Sequence, residues 1–331
     1  MSLLAARGLS HCYRSRPLLG PARTHAALSE VSLEIDEGET VALLGRSGCG
    51  KSTLARLLCG LERPTTGEVL FEGMPLEACR GAAWLRMRRA VQMVFQDSPD
   101  ATNPRQTVGR IVAEPLRHLT RLDRKGREAR VAELLDLVEL PPRIARMRPG
   151  QLSGGQLQRV CIARALAPEP RLVILDEAVS NLDLHLQAST LAFLGEIRRK
   201  RGIACLFITH DLRLVSRFAD RVLVMDRGRI VEEAPSAELA TLSHPASQAL
   251  REAILPPFPG RPAVGKAAPL PENAAEIPPE APTTPAGISV IPVPGGRTAG
   301  AEILSPESGE EPVGNPRQTA SSLTLSGLPK N

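Results

Sequence analysis

Apolar residues along the chain fall into two alternating patterns. Four short runs, 40–44 (TVALL), 91–95 (VQMVF), 172–175 (LVIL) and 203–208 (IACLFI), lack the polar alternation of a strand with one wet face. They predict strands buried on both sides, as in a parallel sheet. Between them apolar positions recur at helical spacing: 53–58, 108–140 with Val131, Leu134, Leu135 and Val138 on one face, 154–167 with Leu157, Val160, Ile162 and Ala163, and 184–201. Pro141 and Pro142 stop the long helical stretch. Residues 3–13 and 28–35 read as strands of an edge sheet around the loop 14–26, and 67–73 (GEVLFEG) as a strand between glycines. Asp226-Arg227-Gly228 is a hairpin turn between 221–225 and 229–233, and two short helical segments within 236–255 close the body. The predicted fold class is α/β with an antiparallel β edge and an inserted α-helical subdomain at about 97–150.

Composition divides the chain. Thirteen of the 30 prolines lie beyond Gly260, and the last aromatic is Phe258. A Pro, Ala, Gly, Ser and Glu segment buries too little surface to offset the entropy of ordering, so a folded domain at 1–258 and a disordered tail at 259–331 are expected. Within the 331 residues, hydrophobic types make up 42% but aromatics only 2%, so the core is built from Leu, Val, Ile and Ala. The tail has five basic residues against seven glutamates; with a chain charge of +5 this leaves +7 on residues 1–260. That basic body suits nucleotides, nucleic acid or an anionic membrane surface, and charge does not choose among them. The six cysteines (12, 49, 59, 79, 161 and 205) form no C-x-x-C and no cluster, which argues against a disulfide framework or a cysteine metal site and favours a reducing cytoplasm. No run of 18 apolar residues occurs, and arginine comes too early for a signal-peptide core, so any membrane link is expected through a partner.

The candidate chemistry sits where strands end. Gly45, Arg46, Ser47, Gly48, Cys49, Gly50, Lys51 and Ser52 fit G-x-x-x-x-G-K-S between a strand and a helix. Phosphates carry several negative charges; glycines let main-chain amides turn inward around them, and the helix N-terminus adds partial positive charge. Lys51 reaches β- and γ-phosphates, the Ser52 hydroxyl is a natural Mg²⁺ ligand, and Thr53 adds a phosphate contact. The apolar strand 172–175 ends in Asp176 and Glu177, two acids costly to bury without a cation; Asp176 suits Mg²⁺ through water and Glu177 suits polarising an attacking water. Ser153, Gly154, Gly155 and Gln156 begin a helix and fit either a second anion site or an ordinary capped helix. Tyr13 fits an adenine-stacking ring or a plain strand-edge tyrosine. Gln96, by spacing alone, reads as a solvated loop glutamine, and His210 fits a γ-phosphate contact or a structural role. His11 and His25 read as surface residues. Arg117, Arg121, Arg124 and Lys125 read as a solvated face.

Taken together, these residues resemble the ATP-binding subunit of an ABC transporter, with a P-loop NTPase (RecA-like) core, over residues 1 to about 258. Tyr13 matches the adenine-stacking residue, Gly45 to Ser52 Walker A, Gln96 the Q-loop, Leu152 to Gln156 the LSGGQ signature, and Leu172 to Asp176 Walker B. Glu177 matches the catalytic glutamate, Ser180 to Asp183 the D-loop with Asp183, and His210 the switch histidine. Stretches such as VFQDSPDATNPRQTV, HPASQAL and LDEAVSNLDLHLQA are similar to importers of the oligopeptide, dipeptide and nickel group, most of all its nickel branch. Ala178, Val179 and Asn181 depart from the general family pattern in keeping with that branch.

The resemblance implies ATP and Mg²⁺ as cofactors, with Glu177, His210 and Lys51 catalytic and Ser52, Gln96 and Asp176 on Mg²⁺. Ser153, Gly154, Gly155 and Gln156 would act in trans on a partner's nucleotide. The implied partners are two membrane permease subunits, a second ABC ATPase subunit (a related chain or a second copy) and, indirectly, a periplasmic binding protein, at the cytoplasmic face of the inner membrane. Nucleic acid is not an expected partner. A non-transport ABC ATPase acting on DNA or ribosomes is the competing reading from the basic body; the single nucleotide domain and short insert count against it. The absence of a guanine-reading N-K-x-D counts against a switch GTPase.

Overall fold

The computed structural model describes residues 2–15, 23–96, 98–179 and 184–252. The strands are β1 (Leu4–Ser15), β2 (Arg23–Ile35), β3 (Thr40–Leu44), β4 (Thr66–Phe71), β5 (Met74–Pro75), β6 (Val91–Val94), β7 (Leu172–Asp176), β8 (Ala204–Thr209), β9 (Arg221–Asp226) and β10 (Arg229–Pro235). The helices are α1 (Lys51–Leu58), α2 (Gly81–Ala90), α3 (Val108–Leu119), α4 (Arg124–Leu137), α5 (Gly154–Leu166), α6 (Leu184–Arg201), α7 (Leu212–Phe218) and α8 (Pro245–Glu252).

Two sheets organise them. The larger has the order β10-β9-β3-β8-β7-β6, parallel except for β10; the smaller is antiparallel, β2-β1-β4-β5. The unbroken apolar runs occupy β3, β6, β7 and β8 because both faces of the parallel sheet are covered. One face packs with α1, α2 and the antiparallel sheet through Leu43, Leu54, Leu58, Phe71 and Ile174. The other packs with α3 to α6 through Val173, Leu175, Leu134, Val160 and Leu194. Each fully buried Val, Leu or Ile contributes roughly 1.5–3 kcal/mol relative to exposure.

The structure revises several sequence expectations. β1 and β2 run longer than expected, to Ser15 and from Arg23, because the two strands continue to pair up to Ser15 and Arg23. α2 was not foreseen: only Met87 and Ala90 of its ten residues are buried, so it shows no apolar stripe. The 108–140 region is helical as expected, in two segments, α3 and α4, and α3 runs through Pro115 at its eighth position. His11 is not a surface residue, since only 13% of its side chain is exposed, whereas His25 is exposed. Arg117, Arg121, Arg124 and Lys125 are exposed as expected. The expected tail at 259–331 and the 180–183 turn with Asp183 lie outside the described residues. Among the described residues no helix is long and apolar enough to cross a membrane.

Candidate functional site

The parallel register brings four strand ends to one edge. Leu44 of β3 lies opposite Thr209 of β8, Asp176 of β7 opposite Ile208, and Leu175 opposite Val94 of β6. The loops that follow carry Gly45 to Gly50, His210, Glu177 and Gln96, so residues spread over more than 160 positions of sequence meet at the carboxyl ends of neighbouring strands, where open α/β sheets place their ligands.

The glycine loop has little room for side chains. A Cβ at Gly45 would stand 2.5 Å from the Met225 carbonyl oxygen. Gly50, with φ of 111°, would place one 2.6 Å from the Ala27 carbonyl. Both positions therefore require glycine. Gly50 is the N-cap of α1 and offers no side-chain cap, so the first amides of α1 stay open toward the loop. Cys49 is buried within the loop, and burial pushes its thiol up, so it is protonated packing rather than a nucleophile. Lys51, only 5% exposed, donates from Nζ to the carbonyls of Gly45 (2.8 Å) and Arg46 (3.0 Å). A buried ammonium ringed by backbone is held for an anion.

Three predicted residues converge on Glu177. Lys51 Nζ lies 3.6 Å from its Oε1, Gln96 Nε2 donates to Oε2 at 3.1 Å, and His210 Nδ1 stands 3.9 Å from Oε2. Glu177 itself has a left-handed φ of 46° and donates its amide to the Ile208 carbonyl at 3.1 Å, which turns its carboxylate off the end of β7. His210 is placed by the start of α7. Asp211 caps that helix by accepting from the Arg213 amide, and the Arg213 guanidinium on the same carboxylate holds it below the usual range. Gln96, which spacing alone reads as a solvated loop glutamine, is brought within hydrogen-bond distance of the Glu177 carboxylate.

Asp176 is 4% exposed and accepts from the Ser52 hydroxyl at 3.1 Å. Burial raises its carboxyl above the ordinary range more than that hydrogen bond lowers it, and neighbouring Glu177 raises it further. A cleft of about 440 Å³ opens over Ser52, Arg56, Gln96 and Asp176. An oxygen-only donor set with a desolvated carboxylate fits a hard divalent cation such as Mg²⁺. Among the described residues no group of three or more His, Cys, Asp or Glu side chains forms a metal site of its own, so remaining ligands would come from phosphate and water.

Tyr13, 36% exposed, lies beside this loop with its hydroxyl 3.4 Å from Thr53 Oγ1. It also donates to Glu62 at 2.8 Å, a residue that no motif singled out. The signature residues are not brought to this site. Ser153 caps α5 by accepting from the Gln156 amide at 3.2 Å, and the Gln156 side chain accepts from the Ser153 amide at 3.1 Å. Ser153 and Gly154 are exposed, and among the described residues no hydrogen bond ties them to the glycine loop.

A glycine-lined anion loop with a buried lysine, two acids at the end of β7 and open helix amides define a P-loop nucleotide hydrolase. Its family is that of the ATP-binding subunits of ABC transporters, to which the chain belongs: the family described as ABC transporter matches residues 28–180. Among its relatives, the nickel import ATP-binding protein NikE of Brucella suis biovar 1 is 60% identical over 261 residues, covering 79% of this chain and 98% of that protein. The NikE proteins of Rhodospirillum rubrum and Escherichia coli K12 are 58% and 55% identical, over 80% and 79% of this chain and 95% and 97% of theirs. Of solved structures, the dimeric post-hydrolysis state of the ATP-binding cassette MJ0796 bound to ADP and Pi aligns with a TM-score of 0.63 at 30% identity, over 70% of this chain and 98% of that one. CbiO1 from Clostridium perfringens, part of the ABC transporter complex cbiONQ, aligns with a TM-score of 0.60 at 28% identity, over 72% and 91%.

Proposed function

We propose that this protein hydrolyses MgATP at the cytoplasmic face of the inner membrane to energise nickel import through two membrane permeases. The convergence of Lys51, Gln96 and His210 on the Glu177 carboxylate carries the hydrolytic part of this reading. Nickel as cargo is supported by the relatives, nickel import ATP-binding proteins at 55–60% identity over nearly their whole length.

In this reading the amides of residues 45–53 and the Lys51 ammonium hold the triphosphate, and Tyr13 stacks on adenine. Ser52, Asp176 and Gln96 would hold Mg²⁺, which neutralises phosphate charge when bound. Glu177 accepts hydrogen from the attacking water; Gln96 and His210 fix the direction of its oxygens, and His210 reaches the γ-phosphate. Nucleotide is sandwiched between this loop and the Ser153 to Gln156 helix end of a second ATPase subunit. The exposure of Ser153 and Gly154 supports a role in trans. A groove of about 430 Å³ between α2, β6 and α3, with Leu61 and Leu85 exposed at 44% and 51%, suits a permease helix. In this reading nickel touches the binding protein and permeases, not this chain.

The test is Glu177→Gln in the purified protein. ATP binding is expected to persist while turnover falls by about 10²- to 10⁴-fold, and unchanged turnover would remove Glu177 from this role. In cells lacking the chain, nickel uptake should fall while dipeptide uptake stays; the reverse pattern assigns a peptide cargo.

A further inference from the structure

The adenine end of the site contains a clamp that no motif announces. Glu62 lies just beyond α1: the amides of Leu61 and Glu62 both donate to the Arg56 carbonyl, at 2.9 and 3.4 Å. The turn that carries it is stitched to β1 beside Tyr13, since Thr65 N donates to Ser10 O at 2.9 Å and Cys12 N donates to Thr65 Oγ1 at 3.1 Å. From that fixed base the Glu62 carboxylate accepts from the Tyr13 hydroxyl at 2.8 Å. It also stands 3.5 Å from His11 Nε2 and 3.7 Å from Arg56 Nη1. The His11 ring abuts the Tyr13 ring edge-to-face at 4.7 Å between centroids.

A half-open aromatic ring on a strand edge samples several rotamers, and stacking on a base then costs the entropy of ordering it. Here the hydroxyl is anchored at one end and the ring edge is packed at the other, so the open face is presented in one orientation. The anchoring turn follows directly on α1, whose first residue is Lys51. One element therefore carries both the grip on phosphate and the group that orients the grip on the base.

Resting on the nucleotide reading above, we propose that Glu62 is a positioning residue for adenine recognition: it orients Tyr13, with His11 and Arg56 holding its carboxylate in place. Its partners are Tyr13, His11 and Arg56, none of them in the glycine loop, so its effect is expected on the base and not on the phosphates.

The experiment titrates the purified full chain with ATP and, separately, with inorganic tripolyphosphate, which has the phosphates but no base. Glu62→Ala is expected to weaken ATP binding and raise KM roughly three- to tenfold, the scale of one partly exposed hydrogen bond to a charged group. Tripolyphosphate affinity and kcat should stay. Glu62→Gln, which keeps an acceptor oxygen, should restore most of the loss. Tyr13→Phe should reproduce it, and Tyr13→Phe with Glu62→Ala should be no worse than either alone. The assignment is overturned if Glu62→Ala leaves ATP affinity intact, weakens both ligands equally, or adds in full to Tyr13→Phe. Lys51→Ala separates the two readings: it should abolish both affinities, and if it spares both, the phosphate loop itself has been misassigned.

Discussion

At the scale of single residues, function and stability oppose each other at Asp176. Burial raises its carboxyl, so the folded chain holds that proton more tightly than the unfolded one. The stability tied to this group is present below the ordinary carboxylate range and declines as pH rises through the raised value. Asp176→Asn keeps the Ser52 hydrogen bond without the buried charge. It is expected to raise Tm in thermal melts, by an amount that grows as pH rises from the ordinary carboxylate range through the raised value, while ATP hydrolysis is lost. Gly50 shows the other kind of residue constraint, backbone room: with φ of 111° and the Ala27 carbonyl 2.6 Å from a would-be Cβ, Gly50→Ala should cost about 2–4 kcal/mol in urea unfolding. These single positions were legible in the sequence in proportion to how local their signal is. The glycine loop and the Asp176-Glu177 pair announce themselves because neighbours in sequence share one job. Gln96 does not, because its partner Glu177 is 81 residues away, and Glu62 does not, because its partner Tyr13 is 49 away.

At the scale of elements, legibility followed burial. β3, β7 and β8 are buried at every position, and their runs of apolar residues could be read directly. α2 was hidden because its outer face is solvent-exposed and its buried face is two residues wide. α5 shows what a pattern of apolar residues cannot reveal. Gln158, Cys161 and Arg164, spaced three apart on one side of it, all hold the segment that follows Gln96. Gln158 accepts from the Ser98 hydroxyl, Cys161 Sγ contacts the Ser98 carbonyl at 3.9 Å, and Arg164 donates to the Ala101 carbonyl. The loop that begins at the Glu177 carboxylate is thereby fastened to the signature helix. Arg164→Ala removes one fastening, so amide hydrogen exchange at 98–102 should speed up by roughly five- to tenfold, about 1 kcal/mol, while exchange in β7 and β8 is unchanged. Equal acceleration throughout would mean that Arg164 supports the fold rather than this loop.

At the scale of the whole molecule, each chain carries the glycine loop and acids on one strand edge and a capped, exposed signature helix elsewhere. The Ser153 hydroxyl is engaged by the Gln156 amide of its own helix, and no hydrogen bond among the described residues carries it to Lys51 of the same chain. If hydrolysis needs both, the reacting unit is a pair, in line with the dimeric cassette that aligns with this fold. Lys51→Ala removes the phosphate grip and Ser153→Arg fills the signature end with a bulky cation, so each variant alone should be inactive. Mixed in equal amounts, two copies should pair so that the intact Lys51 of one faces the intact Ser153 of the other. ATP turnover should then reappear, and in the Glu177→Gln background ATP should shift the chain to dimer in sedimentation. A site complete within one chain would leave the mixture as inactive as its components, because neither chain holds both groups.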